Sequence, residues 1–511
     1  MKSCFLGIDL GTSAVKAVLI DIDGQLIGKG EAGYSILHPA EEKAEQDPAS
    51  WWISVIEAVG QATQNQLNRT RQLAAIGICG QMHGTLLLDR DLRPLHPAVI
   101  WPDQRTIRQV QELSTTIGFE RLIEITGSPL AAGFQAATLL WFQQNCPHIW
   151  AQAAHILLPD DALRLWLSGE LSTDPSDASG TLLFDSFRRR WSPDLLAALQ
   201  TSEAWLPKVQ PSTAVIGHLT QQTALELKLT PDVSIVNGAA DQAAALLGAG
   251  ALHPTKLLVN LSSGGQIVQP SLDFQIDRSG RMHTFCSAFE PSHQRPGWYK
   301  MAATLSAGMS LRWLKEQVFN LEGTSSDAYD RIMAWAAQSP PGAKGLLFLP
   351  HLAGERAPHM DAQARGAFVG LTLQHGKEEI ARAVLEGVAF SLYQAWQVLR
   401  GQSAASPSEL ILAGGGARSA LWRQIIADVF GAAVVKLNHR EQSAIGAALL
   451  AAAGTGYLDL AEASSRWASY SAPCEPDPAK TARYQQLLDL YTKAYQQNIE
   501  LFHLLGYFPY L

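Results

Sequence analysis

Cys4-Phe5-Leu6-Gly7-Ile8-Asp9-Leu10-Gly11-Thr12-Ser13 is a short apolar run that ends in a carboxylate and a small-residue turn. A second apolar run, Ala14 to Ile22, follows, then the hairpin dipeptide Asp23-Gly24, and Gln25 to Gly30 can return as a third strand. The chain therefore opens on an antiparallel meander. The same grammar recurs half a chain later. From Lys256 an apolar run leads into Asn260-Leu261-Ser262-Ser263-Gly264-Gly265. Two such turns predict a duplicated α/β architecture, with one turn from each half facing a shared cleft. A chain of 511 residues exceeds one hydrophobic core. The expected division is residues 1–248 and 249–511, with the boundary between Gly248 and Pro254. Helices are expected from Pro48 to Leu67, from Ala243 to Leu247, and from Lys480 to Leu505, the last as an amphipathic cap. Ile76 to Cys79 and Val233 to Asn237 read as further buried strands.

Composition narrows the function. Charged residues make up 17% and the formal net charge is −8, which excludes a nucleic-acid protein held by bulk charge. Five scattered cysteines without a CxxC pair read as thiols of a reducing compartment, so a cytoplasmic protein is expected. No apolar stretch approaches the roughly 20 residues of a membrane span. There is no G-x-S-x-G elbow, no HExxH helix and no HRD/DFG pair.

Several stretches carry candidate chemistry. In Asp9 to Ser13 the turn lets backbone amides and the hydroxyls of Thr12 and Ser13 converge on an anion beside Gly11, and Asp9 is placed to hold Mg²⁺. The pentapeptide alone also fits a plain hairpin. Gly414-Gly415-Gly416-Ala417-Arg418-Ser419 lies between the apolar run Leu410 to Ala413 and a helix with Leu421, Ile425 and Val429 on one face. Strand, glycine turn and helix is how a backbone approaches a nucleotide, although this turn lacks the Gly-Lys-Ser/Thr ending of a P-loop. Asp241 follows a strand and opens an alanine-rich helix, where it serves either as a cap or as a base held rigidly for phosphoryl transfer. Gly80-Gln81-Met82-His83-Gly84 and Trp101-Pro102-Asp103-Gln104-Arg105 offer directional hydrogen bonds and apolar walls suited to a sugar.

Taken together these motifs resemble the FGGY carbohydrate kinases, and within these the xylulose kinases. Phe348-Leu349-Pro350, Gly354-Glu355-Arg356-Ala357-Pro358-His359, Gly366 to Leu371 and Ala383 to Gly387 extend the likeness over nearly the whole chain. The resemblance implies a duplicated actin/hexokinase-like (ribonuclease H-like) fold and ATP-dependent phosphorylation of a ketose, with D-xylulose first. D-ribulose, sedoheptulose or another polyol is the alternative substrate, and a non-catalytic sugar- or nucleotide-binding protein the alternative class. It implies Asp241 as the catalytic base and Asp9 as the Mg²⁺ carboxylate. Gly11, Thr12, Ser13, Ser262, Ser263, Gly264, Gly414, Gly415 and Gly416 would hold ATP; Gln81, Met82, His83, Asp103, Asp241 and Gln242 would meet the sugar. The expected partners are these small molecules, with no nucleic acid and no membrane, and a homodimer is allowed. Three positions depart from the family pattern. Ser262-Ser263-Gly264 stands for Gly-Thr-Ser, Gln242 for asparagine, and Thr138 for a lysine.

Overall fold

The computed structural model describes residues 4–64, 72–290, 297–321, 326–401 and 406–506. The chain divides into two compact units. The first comprises residues 1–252 together with 270–299 and 441–469; the second comprises 253–269, 300–440 and 470–511.

The first unit is built on a mixed sheet of β1 (Cys4–Leu10), β2 (Ala14–Asp21), β3 (Leu26–Gly33), β4 (Leu73–Gly80), β5 (Val215–His218) and β6 (Ser234–Ala240), in the order β5-β6-β4-β1-β2-β3. The opening meander forms as expected, because each run is apolar and the Asp23-Gly24 dipeptide closes the hairpin, with Gly24 at φ 85°. β1 and β4 are buried along their whole lengths, as central strands covered on both faces are. They run parallel with Asp9 opposite Cys79 and Leu10 opposite Gly80. β6 joins β4 in parallel, with Ala239 opposite Cys79 and Ala240 opposite Gly80. Three parallel strands thus end level with one another. The carboxyl ends of such strands are where ligands bind in open α/β sheets.

Helices cover this sheet. The helix expected from Pro48 to Leu67 forms over α1 (Pro48–Thr63), capped by Asp47, whose carboxylate accepts from the Ala49 amide. Residues 65–67 of that expectation lie outside the described residues. Further along come α2 (Pro159–Ser168), α3 (Pro175–Gly180) and α4 (Asp241–Gly248).

The second unit carries β7 (Lys256–Leu261) and β8 (Gly265–Ser271), joined antiparallel by the Ser262–Gly264 turn. Strand β9 is Trp298–Thr304, β10 is Glu409–Ala413 and β11 is Ala433–Lys436. Their order is β9-β8-β7-β10-β11, and β7 runs parallel to β10. Strand pairing thus repeats the pattern of the first unit, an antiparallel hairpin flanked by a parallel strand. Four helices dominate this half: α5 (Ser326–Gln338), α6 (Lys377–Arg400), α7 (Ala420–Phe430) and the terminal helix Pro478–Gly506. Between α7 and that terminal helix the chain returns to the first unit as α8 (Gln442–Gly454), which makes the terminal helix α9. The amphipathic cap expected from Lys480 to Leu505 is α9, with Tyr484, Leu488, Tyr491 and Tyr495 buried. Among the described residues no helix is long and apolar enough to cross a membrane, and all five cysteines are free thiols.

Helix α8 is almost wholly alanine, glycine and leucine, and lies flat on β1 and β4. At Gly7 an added Cβ would fall 1.8 Å from the Ala444 carbonyl oxygen, backbone against backbone, with no flexible atom to yield. Gly60, inside α1, has nothing within 4 Å of such an atom. Gly7→Ala is therefore expected to abolish soluble folded protein or lower Tm steeply. Gly60→Ala should stabilise the chain by about 0.5–1 kcal/mol, as glycine-to-alanine does in a helix interior. Thermal unfolding of the two variants checks both signs.

Candidate active site

In the first unit Asp9 and Asp241 lie at the level ends of β1 and β6. Asp9 is buried, and burial pushes its carboxyl up to about 6, while Lys16, its register partner on β2, works in the opposite direction. Its Oδ1 is buried without a hydrogen-bond partner. Asp241 is the first residue of α4, half-buried, and the amide and side chain of Gln242 donate to its carboxylate. Burial, then the nearby Asp9 charge, raise its carboxyl to about 8. Two like charges in a low-dielectric site resist ionising together. Asp160 on α2 adds a further carboxylate that pushes both upward.

The turn after β1 is held by its neighbours. The Gly11 amide donates to the Ala14 carbonyl at 3.1 Å, and the Tyr34 hydroxyl donates to the Gly11 carbonyl. Trp101 Nε1 donates to Thr12 Oγ1 at 2.9 Å, so the tryptophan of the Trp101–Arg105 stretch braces this turn. Gln81 Nε2 donates to Gln46 Oε1 at 2.8 Å, and Gln46 Nε2 donates to the Thr12 carbonyl at 2.6 Å. Ser13 is exposed.

The expected sugar contacts Met82 and His83 sit on the loop after β4, both buried. His83 holds φ 74°, with Nδ1 2.7 Å from the Gly180 carbonyl, and its ring stacks on Phe134 at 3.7 Å. The ladder continues through Phe285 to Tyr299, whose hydroxyl points at Met82 Sδ at 3.7 Å. Thr138, at the position of the family lysine, is buried and donates to the Phe134 carbonyl, tightening the helix turn beneath that ring. Asp103 is placed differently from the other expected sugar contacts. It is fully buried, and its carboxylate accepts from the Ala44 amide at 2.7 Å and from Arg105, which also reaches Glu45. A carboxylate so engaged is not open to a ligand. Phe134, Phe285 and Tyr299 were not singled out in the sequence; they belong to no turn motif, and only their aromatic character could have marked them.

In the second unit a cavity of about 750 Å³ is lined by Ser262, Ser263, Gly415 and Gly416 together with Arg418, Ser419 and Trp422. Its opposite wall is Tyr329, Asp330 and Met333 of α5. The turn of β7 and the turn after β10 thus meet at one site. Gly264 and Gly414 do not line it, and pack behind it against Thr304 and Leu261. Both serines of the turn are exposed; the Ser262 and Ser263 carbonyls accept from the Gly308 and Met309 amides at 2.8 and 2.9 Å. A cavity of this size, with a glycine-lined floor and an aromatic wall, fits a nucleotide. In the first unit, the Asp9 carboxylate fits Mg²⁺, which takes one or two carboxylates from a protein and the remainder from phosphate and water. Asp9 supplies a bare buried oxygen, and among the described residues no cluster of three or more His, Cys, Asp or Glu could hold a metal by itself.

Comparison with known proteins gives consistent results. Residues 4–248 match the model of the N-terminal domain, and residues 278–455 that of the C-terminal domain, of the FGGY family of carbohydrate kinases. A xylulose kinase of Lactococcus lactis subsp. lactis is 36% identical over 504 residues, covering 98% of this chain and 97% of its own length. A xylulose kinase of Escherichia coli is 35% identical, covering 97% of this chain and 99% of its own. The crystal structure of a xylulose kinase from Rhodospirillum rubrum superposes with a TM-score of 0.90 at 26% identity, over 98% of this chain and 99% of that one.

The raised Asp241 carboxyl has a consequence for stability. The folded chain holds this proton to about pH 8, whereas the unfolded chain releases it near 3.8. Native protein binds more protons than unfolded across that window, so stability falls as pH rises from about 4 to about 8. Asp241→Asn removes the titration. The gap in Tm between the variant and the parent is expected to widen in the variant's favour from pH 4 to pH 8 and to stay constant above. A gap that does not change with pH would contradict the assignment.

Proposed function

The chain belongs to the FGGY family of carbohydrate kinases, and from that premise we propose that it transfers the γ-phosphoryl group of ATP to D-xylulose, giving D-xylulose 5-phosphate and ADP. The observation that carries the chemistry is the pair Asp9 and Asp241 at level strand ends, one with a bare oxygen and the other with a carboxyl raised to about 8. The sugar rests on the near-full-length likeness to relatives named xylulose kinase.

Asp241 takes the proton of the attacking hydroxyl. It acts in its ionised form: with its carboxyl raised to about 8 that form is the minority at neutral pH in the ligand-free chain, but it is a stronger acceptor than an ordinary carboxylate, and its place at the start of α4 fixes its direction. Gln242 shares the carboxylate and borders the sugar. Met82 and His83 form the wall, backed by the aromatic ladder that keeps both from moving. Thr12 and Ser13 offer their hydroxyls to the phosphates from a turn that Gly11 closes through its amide hydrogen bond to Ala14. Ser262, Ser263, Gly415 and Gly416 seat the nucleotide, with Gly264 and Gly414 shaping the two turns. Asp9 would hold Mg²⁺, which when bound supplies charge neutralisation to the phosphoryl group. Phosphoryl transfer requires mainly such positioning and one base.

A second reading keeps the chemistry and changes the sugar to D-ribulose, sedoheptulose or another polyol. Gln242 favours it, since its longer side chain is spent on Asp241 and alters the space left for a ligand.

A coupled ADP-release assay with Mg-ATP against these three ketoses, L-ribulose, glycerol and gluconate tests both. Saturable release with D-xylulose at the highest kcat/KM is expected; background rates with D-xylulose and saturation with another sugar would establish the second reading. Asp241→Ala should cut kcat by about three powers of ten or more while nucleotide binding stays within a few-fold. Near-normal turnover in that variant would remove the base assignment.

A further inference from the structure

The strand that delivers Asp241 is bent just before it. Pairing of β6 with β4 slips between Val236 and Ala239, and Gly238 adopts φ 85°. A bulge re-aims the chain that follows, but it also leaves backbone groups without ladder partners, and here they are buried. Three groups of this stretch are met by specific partners. The Asn237 carbonyl accepts from Arg164 Nε at 2.5 Å. The Gly238 amide donates to the Ser212 carbonyl at 2.9 Å. The Ala240 amide, one residue before Asp241, donates to Ser176 Oγ at 3.0 Å. The last brings a side-chain hydroxyl to the strand one residue before the carboxylate.

Ser176 is itself fixed. Its hydroxyl donates to Asp174 Oδ2 at 2.8 Å, which turns its lone pairs toward the Ala240 amide. Asp174 caps α3 by accepting from the Ser176 and Asp177 amides, and also accepts from Ser212 Oγ at 2.6 Å. All three side chains are buried. One buried carboxylate therefore orients both the hydroxyl that ties Ala240 and the residue whose carbonyl ties Gly238.

We propose that Ser176, oriented by Asp174, is a positioning residue for catalysis, fixing the Ala240 amide so that the Asp241 carboxylate meets the sugar hydroxyl in the right place. The proposal rests on Asp241 acting as the base. Ser176 is fully buried behind the strand, so its loss is expected to act on turnover and not on binding. A misplacement of about 1 Å costs on the order of a hundredfold in rate, and a partial relaxation correspondingly less.

Ser212 provides a matched control. Its hydroxyl bonds the same Asp174 oxygen, yet it is its carbonyl, which mutation leaves in place, that meets the Asp241 strand. Ser176→Ala is expected to lower kcat about tenfold or more, with KM for ATP and sugar within twofold of the parent. Ser212→Ala should lose similar Tm and keep kcat within twofold. In the Asp241→Asn background, Ser176→Ala should add no further loss, because the group it positions is gone. If Ser176→Ala does not yield folded protein, Ser176→Cys keeps the bulk with a much weaker acceptor and should show the same split. A kcat within twofold for Ser176→Ala, or an equal fall in Ser212→Ala, overturns the proposal. So does further loss in the double variant. Full activity of Asp241→Asn alone instead removes the base assignment, and a Ser176 effect seen there would not act through Asp241.

Discussion

The parallel register of β1, β4 and β6 is the constraint on which the candidate site depends. Because Asp9 stands opposite Cys79, and Ala239 and Ala240 opposite Cys79 and Gly80, two acids far apart in sequence reach one end of the sheet at the same height. Burial of both, and the Asp9 charge acting on Asp241, then set their chemistry. Neither would be a strong base on an exposed loop; here burial raises both carboxyls, and the Asp9 charge raises that of Asp241 further. A cation beside Asp9 would relieve that repulsion and ease ionisation of Asp241.

Holding this arrangement requires buried polar groups in number. Arg164 lies wholly inside the first unit with Asp160, Asp161 and Asp177 around it at 2.6 to 2.8 Å. Burying such a cluster is costly unless every partner is satisfied, so it is poor evidence for stability in itself. Its place suggests another use. Arg164 also meets the Asn237 carbonyl, and Asp174 serves the same strand through Ser176 and Ser212. The polar interior is concentrated where β6 bends toward Asp241. A packed apolar core alone would leave the bulge's backbone groups unpaired.

Much of this was legible in the residues. The apolar run, the carboxylate and the small-residue turn of Cys4 to Ser13, and its repeat from Lys256, mark strands and tight turns because local sterics and period decide both. Asp241 was legible as a carboxylate opening an alanine-rich helix. What local pattern does not carry is long-range return. Residues 270–299 and 441–469 go back to the first unit, and nothing in their periodicity says which body they join. Tyr329, Asp330 and Met333 line the cavity from a helix that reads as any amphipathic helix. Asp103 reads as a sugar contact beside Trp101, yet Arg105 turns back onto it, a choice made by side-chain geometry and not by spacing. Trp101 itself braces Thr12, 89 residues earlier.

The coupling between the two strand-end carboxylates is the central claim, and a carboxyl titration reads it directly. Carbon-13 chemical shifts of aspartate side chains, followed with pH in the parent and in Asp9→Asn, report the midpoint of Asp241. The account predicts a midpoint near 8 in the ligand-free parent and a clear fall when the Asp9 charge is removed. A midpoint near the ordinary carboxylate value, or one that does not move in Asp9→Asn, would contradict it.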